Sequence, residues 1–289
     1  MPNIKNIKTK IDSVSNMKQL FYSMESSGTD KIKKLNKQIS SYQSFMWDFF
    51  SIIWSIWWWI FNVVRDDSKK KLCLVFSSNK WLCWNCNDKL FKKVFLEFWN
   101  KKDKVDIFCI WKKSFEYFVK KWFNVVWYIK LDDCFVQNDL SEVYDYVFSS
   151  ISSDLYWEIS VYSNFMRSKV SSKIMNYNVF PVEQSSLWLF MNSIWLDLWS
   201  LFENTQNVDV LWDSEEMKMV VEKQLIQYMI YWVALQNKLA ELSTRVSLIQ
   251  NMKDSTDFIV KDLKLSFNKL YQSLLTREIS NIMNLKTEY

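Results

Sequence analysis

The stretch Leu235–Leu274, LQNKLAELSTRVSLIQNMKDSTDFIVKDLKLSFNKLYQSL, decides the fold. Steps of alternating four and three residues from Leu235 reach Leu239, Leu242, Val246, Ile249, Lys253, Thr256, Val260, Leu263, Phe267, Leu270 and Leu274. Ten of those twelve positions are apolar, and Lys253 and Thr256 form the one polar break. An apolar residue every three and a half positions, held for nearly six heptads, predicts a long coiled-coil helix. Run from about Asp209 to Leu285, such a helix is roughly 115 Å long.

The opposite end of the chain carries a weaker form of the same pattern. Ile4, Ile7, Ile11 and Val14 make one run, and Ile32, Leu35, Ile39, Tyr42, Met46 and Phe49 another. Between them Met17, Leu20, Phe21 and Met24 keep an apolar stripe with a shifted phase. A helix from about Asn3 to Met46 extends roughly 66 Å. Two such helices, each with a single seam, cover their apolar faces by pairing antiparallel.

The middle alternates differently. Leu72 to Phe76, Val105 to Ile110 and Val125 to Ile129 are short apolar or β-branched runs, with amphipathic basic segments at Asp88 to Lys101 and Lys112 to Lys121 between them. Leu140 to Ile151 is a third helix, and Ile159 to Tyr162 and Tyr177 to Val182 are further strands. Alternating strands and helices predict a mostly parallel, open α/β sheet. The expected organisation is α/β plus coiled coil: an N-terminal helix and loop over 1–60, an α/β domain over 70–207 inserted between the two rods, and a C-terminal helix over 208–289.

Composition adds one anomaly. The 289 residues hold no His, two Pro, one Gly and 17 Trp. Without His the chain lacks the commonest general base and zinc ligand, and one Gly rules out a glycine-rich phosphate loop as written. Turns and helix ends need positive φ, which Gly supplies at least cost. Ala, Pro, Arg and Gly are scarce while Lys, Asn, Ile, Ser, Phe and Tyr abound, the usage of an AT-rich genome; abundant Trp contradicts it. We read most of these Trp as glycine positions, encoded by a UGA codon that the source organism translates as Gly. Trp122 follows the basic turn Phe118-Val119-Lys120-Lys121, where a helix-ending glycine belongs, and Trp81, Trp84 and Trp111 fall between strand-like runs and helices.

That reading bears on membrane crossing. Phe49 to Val64 is sixteen uncharged residues, short of the about 20 a span needs. With glycine at Trp54, Trp57, Trp58 and Trp59 it becomes a loop at a helix end, the reading preferred here; a membrane-anchored coiled-coil scaffold is the alternative. No signal peptide is visible, since Met1 to Lys10 is polar with no apolar segment after it.

Cys83-Trp84-Asn85-Cys86 is a C-x-x-C between a strand and a helix, the setting of a thioredoxin-like redox site. Such a site wants a proline facing the dithiol, and the only prolines are Pro2 and Pro181. One C-x-x-C without His offers too few ligands for structural zinc. Cys73, Cys109 and Cys134 are expected to be buried packing residues. The net charge of +5 is spread over all three regions, so nucleic-acid binding is not expected. Carboxylates such as Asp132-Asp133 and Glu215-Glu216 have no base or metal partner in sequence; no catalytic residues, cofactor or metal are assigned.

Several segments, in order, match one family. Ile7-Lys8-Thr9-Lys10-Ile11-Asp12-Ser13-Val14 and Asn16-Met17-Lys18-Gln19, then Met24-Glu25 and Lys31, follow an I-R-x-R-I-x-S-V-x-N-T-x-K and A-M-E-M-V-A-x-x-K pattern. Ser77-Ser78-Asn79-Lys80-Trp81-Leu82-Cys83-Trp84-Asn85-Cys86-Asn87 follows S-D-R-G-L-C-G-x-x-N, with Trp81 and Trp84 at its glycines. Leu239-Ala240-Glu241 with Arg245 follows L-A-S-E-x-x-x-R, Lys253-Asp254-Ser255 stands at T-D-N, and Asn268-Lys269 with Gln272 to Ile279 follows N-x-x-R-Q-x-x-I-T-x-E-L. Over essentially its whole length the chain resembles the gamma subunits of F-type ATP synthases. It departs from them at Asn281, where a second acidic residue is usual, and in lacking a closing Gly-Ala pair.

The resemblance implies a Rossmann-like open α/β domain inserted into an antiparallel coiled coil, and a central-stalk rotor with no active site of its own. It implies alpha, beta and epsilon subunits and the c-ring as partners, and a peripheral position on the cytoplasmic face of the cell inner membrane. Proton-driven turning of the ring would rotate a one-sided shaft inside the catalytic hexamer, biasing three beta subunits into different nucleotide affinities. Carried over residue by residue, it marks Met24, Glu241, Arg245, Gln272, Thr276 and Glu278 for coupling and head contact, and Trp81, Leu82, Cys83 and Trp84 as the family's motif loop. A purely structural account has Met24 packing in the coil and Glu241 pairing Arg245 one turn on, worth about 0.3 kcal/mol.

Overall fold

A computed structural model describes residues 4–53, 69–78, 84–166, 172–194 and 215–286. The elements are α1 (Ile4–Ile53), β1 (Lys70–Phe76), α2 (Trp84–Phe98), β2 (Val105–Ile110), α3 (Lys112–Lys120), β3 (Asn124–Ile129), α4 (Ser141–Ser152), β4 (Tyr156–Met166), β5 (Ser172–Phe180), α5 (Gln184–Ile194) and α6 (Glu215–Lys286). The expected strands and helices all occur, β4 and β5 longer than read; α5 went unread in sequence. The stretch Phe49 to Val64 lies mostly outside the described residues, as do Trp81, Leu82 and Cys83; α1 holds its beginning, to Ile53. Among the described residues no helix is long and apolar enough to cross a membrane.

Contacts divide the chain into two units, 32–244 and 1–31 with 245–289. The larger holds a five-stranded sheet in the order β3-β2-β1-β4-β5, parallel except for β5, which runs antiparallel to β4. The central strands β1 and β2 read as unbroken apolar runs because both their faces are covered. Alternation along them sorts side chains to two cores. Leu72, Leu74, Phe76, Phe108 and Ile110 face a layer containing the 32–53 part of α1, with α4, α5 and the 215–244 part of α6. Cys73, Val75, Ile107 and Cys109 face α2 and α3 through Leu90, Phe91, Val94 and Phe118.

Within this unit the two long helices are therefore covered by more than each other. Residues 231–238 of α6 are all buried, so the helix is enclosed on every side over two turns and not on a seam alone. Trp232 stacks on Tyr42 with centroids 5.8 Å apart and donates its indole N–H to Ser193 Oγ at 2.9 Å. Tyr42 donates to the Tyr228 carbonyl at 2.7 Å, and Gln38 reaches Tyr231 at 2.6 Å, which sets α1 and α6 antiparallel.

Helix ends show where the backbone demands positive φ. After α4 the Asp154 N–H bonds the Ile151 carbonyl and the Leu155 N–H bonds Ser150, with Asp154 at φ 52°. After α3 the same paired bonds run from Trp122 to Val119 and from Phe123 to Phe118, with Trp122 at φ 62°. Both are Schellman caps, whose left-handed position is usually Gly. Trp122 takes it while 88% exposed, so its indole contributes little packing. Trp111 lies at φ 75°, ψ 149°, a region nearly reserved for Gly, yet its side chain is buried and donates to the Leu131 carbonyl at 3.0 Å.

The smaller unit pairs the 4–31 part of α1 with α6 from 245 to about 270. Lys18 meets Asp257, Glu25 meets Lys253 at 2.7 Å, and Gly28 faces Val246, so rising numbers on one helix match falling numbers on the other. The pairing is antiparallel, as expected. The phase of α1 is not: Lys18, Phe21, Glu25 and Gly28 continue the heptad unbroken from Val14 to Ile32, while Met17, Leu20 and Met24 are exposed. The apparent shift arose because the seam here is partly ionic and apolar residues stand outside it. A Cβ on Gly28 would lie 2.6 Å from Val246 Cγ2. Gly28→Ala gains about 1 kcal/mol of helix propensity and loses about 1–3 kcal/mol to overpacking, so thermal melting should show net destabilisation.

Candidate functional site

The small unit presents an ionic seam and an apolar exterior. Lys18 and Lys253 are held above the ordinary lysine range chiefly by hydrogen bonds to Asp257 and Glu25, and Tyr22 lies under both ammonium groups at 5.6 and 4.8 Å. Raised lysine pKa values give support that is present below the unfolded value and lost as pH rises through the folded one, so on the lysine side these pairs persist until strongly alkaline solution. Along α6 the positions Val260, Leu263, Phe267 and Leu270 are half-covered, in the predicted heptad phase, with Ser266 beside them. From 271 through 283 every residue is exposed, among them Tyr271, Leu274, Leu275, Ile279, Ile282 and Met283. Met17, Leu20 and Met24 on α1 are exposed apolar residues as well, so both helices present apolar side chains to water.

The six residues marked for coupling fall into different environments. Met24 is 46% exposed and outside the seam, so it does not pack in the coil. Gln272, Thr276 and Glu278 are exposed on one stretch of α6, with Thr276 Oγ1 donating to the Gln272 carbonyl at 2.9 Å. Arg245 is half-buried. Glu241 is 3% exposed and presents no carboxylate outward; its Oε2 lies 3.2 Å from Lys238 Nζ, its neighbour three residues earlier. Lys238, 2% exposed, also donates to Asp133 Oδ1 at 2.9 Å. Asp133 thus has a cation partner that the sequence did not reveal.

Beside that ion group the carboxyl ends of the strands meet α6. Asn237 Nδ2 donates to the Ser77 carbonyl just past β1 at 3.0 Å, and its Oδ1 accepts from the Asn164 N–H of β4 at 3.2 Å. Ser77 Oγ donates to the Ile110 carbonyl at 3.0 Å, and Asn87 and Ser78 hold each other through three hydrogen bonds. Reasoning from the heptad alone missed these groups. The available signal was three polar residues, Gln236, Asn237 and Lys238, directly after the all-apolar Ile230 to Leu235, off the seam phase.

The cysteines do not make a described dithiol. Cys86 is buried with its Sγ 3.4 Å from Ser172 Oγ and 3.5 Å from Thr244 Oγ1, while Cys83 lies outside the described residues. Burial pushes the Cys73 and Cys109 thiols up to about 12. Cys134 is exposed, contrary to the packing role expected of it, because it sits in the bend between β3 and α4. An aromatic disulfide reagent at neutral pH should label Cys134 rapidly and leave Cys73 and Cys109 untouched until the protein unfolds, since only thiolates react.

Among the described residues no group of three or more His, Cys, Asp or Glu could hold a metal ion. A groove of about 640 Å³ bounded by Lys69, Lys71, Lys104, Val105 and Glu158 lies at the amino ends of β1, β2 and β4. Ligands of open α/β sheets bind at the other edge, outside the carboxyl ends. That edge is where Asn237 and its neighbours sit.

A family model described as ATP synthase matches residues 3–284. The ATP synthase gamma chain of Mycoplasma mycoides is 24% identical over 298 residues, covering 98% of each chain. That of Haemophilus influenzae is 24% identical over 295 residues, again 98% of each. The fold resembles a chain in the rotor of the Euglena gracilis mitochondrial ATP synthase, with TM-score 0.60 and 13% identity over 94% of this chain and 98% of that one. It also resembles one in the central stalk and c-ring of the Tetrahymena thermophila enzyme, with TM-score 0.58 and 14% identity over 80% and 98%.

Proposed function

The chain belongs to the ATP synthase gamma chain family, and on that premise we propose how its surfaces couple rotation to nucleotide chemistry. It is a central-stalk subunit and non-catalytic, the chemistry residing elsewhere in the complex. In our reading the apolar exterior of the small unit is the surface that turns against the alpha and beta subunits, and the sheet unit faces epsilon and the c-ring. Ion flow through the ring, protons being the expected ion, turns the chain, and the complex holds it peripherally on the cytoplasmic face of the inner membrane.

The observation that carries this reading is the run 271–283, exposed throughout and rich in Tyr, Leu, Ile and Met. Apolar helix surface of that extent is stabilised when a protein partner removes it from water, at roughly 25 cal/mol per Å². Gln272, Thr276 and Glu278 are its polar contact points, and Met24 is an exposed flexible one on α1. Arg245 stands at the start of the paired segment, and Glu241 acts within the chain by holding Lys238.

The test is to purify the complex through an affinity tag on this chain and to assay ATP-driven ion pumping against ATP hydrolysis. Co-purification of alpha, beta and epsilon subunits is expected. Glu278→Ala and Arg245→Ala should lower pumping per ATP hydrolysed while assembly persists. Pumping equal to the parent in both variants would remove these residues from the coupling surface.

We further propose that most tryptophans in this sequence stand where the natural protein has glycine. The left-handed caps at Trp122 and the backbone of Trp111 support it, as do Trp81 and Trp84 at glycines of the family motif. Trp232, buried in a helix interior and hydrogen-bonded, is by contrast a true Trp. Peptide masses of the native protein test this: the peptide containing position 122 should carry glycine and the one containing 232 tryptophan.

A further inference from the structure

We propose that Asn237 is a positioning residue that locks the C-terminal helix to the sheet at the point where other open α/β sheets bind ligands. This rests on the reading of the chain as a central-stalk rotor subunit. The sheet runs from β1 outward through β2 to β3, then returns to place β4 on the other side of β1. The gap between β1 and β4 is therefore its topological switch point, the position at which open α/β sheets bind ligands. The parallel ladder between these strands ends at Val75 opposite Tyr162. Two residues on, the Ser77 carbonyl and the Asn164 N–H have no strand partner in that ladder, and Asn237 supplies both from α6.

A carboxamide is the side chain suited to this place. It offers an N–H donor and a C=O acceptor on one planar group, so it extends the ladder as a further peptide would. Asn237 is 1% exposed, and Ser77 and Asn164 are buried too. Leu in its place leaves a buried donor and a buried acceptor unmet, while Asp can accept from Asn164 but cannot donate to Ser77. One residue along, Lys238 fixes the same turn of α6 to Asp133, beyond β3. The helix is thus held at both the switch point and the β3 side of the sheet. Rotation applied to the sheet would pass to α6 through this turn, and loss of Asn237 would make the joint torsionally soft.

The experiment uses the assembled complex carrying Asn237→Leu or Asn237→Asp, with its catalytic head immobilised and a bead on the ring side of a stalled rotor. We expect wider angular fluctuations and reduced pumping per ATP hydrolysed, with hydrolysis itself retained. Angular spread equal to that of the parent complex would overturn the proposal. If Asn237→Leu fails to assemble, hydrogen exchange on the full chain decides: protection of the Asn164 amide should fall about tenfold or more while Val161 keeps its own. Undiminished protection at Asn164 would overturn it. A parent chain that does not co-purify with alpha and beta subunits would instead refute the rotor reading, so the two failures are separable.

Discussion

Lys238→Met is expected to destabilise the sheet unit by about 3–5 kcal/mol, because it removes the cation from a buried ion group. The lysine lies between Asp133 and Glu241, and Glu241 has almost no contact with water. Met fills nearly the same volume, so packing loss is small and the cost is electrostatic: the Glu241 carboxylate, in a low-dielectric site, loses the ammonium group 3.2 Å from it. Denaturant unfolding of the full chain, followed by far-ultraviolet circular dichroism, reads the difference. The double variant Lys238→Met with Glu241→Leu should recover most of the loss, since replacing both ions by apolar groups avoids burying charge. A single variant within about 0.5 kcal/mol of the parent would mean that water reaches the group and the burial argument fails.

The architecture was legible to the extent that one periodicity governed each element. From Val246 to Leu270 every position of the heptad read from sequence is covered or half-covered, because there one stripe of α6 faces α1. The same rule missed the enclosure of residues 231–238, where sheet, α1 and α5 all contact the helix and no one period describes burial. It also misjudged α1 between Val14 and Ile32. A hydrophobic count treats Lys18 and Glu25 as outward, yet each reaches a seam partner of opposite charge, Asp257 and Lys253. Cross-helix charge complementarity is invisible until the register of both helices is known. Of the coupling residues, resemblance could name Glu241 but not its burial; the polar run Gln236 to Lys238 marked Asn237 only as unusual, since its two partners are 160 and 73 residues away.

The two tryptophans Trp122 and Trp232 should respond to glycine with opposite signs. At Trp122 the left-handed backbone costs an L-residue roughly 1–2 kcal/mol, and an exposed indole returns little by packing. Glycine removes that strain and gives back up to about 1 kcal/mol through the greater freedom of the unfolded chain, for a net gain of about 1 kcal/mol at most. At Trp232 glycine empties a fully buried site, breaks the bond to Ser193 and unstacks Tyr42. Truncation of a buried Trp costs about 3–5 kcal/mol, and glycine inside a helix about 1 kcal/mol more. The expected gap between the variants is therefore about 4–7 kcal/mol, well beyond error in denaturant midpoints. The comparison is made in a chain carrying tryptophan at every other written position, so that only the tested site changes. Destabilisation by Trp122→Gly would show that the indole is needed at that cap, and the case for glycine there would then rest on composition alone.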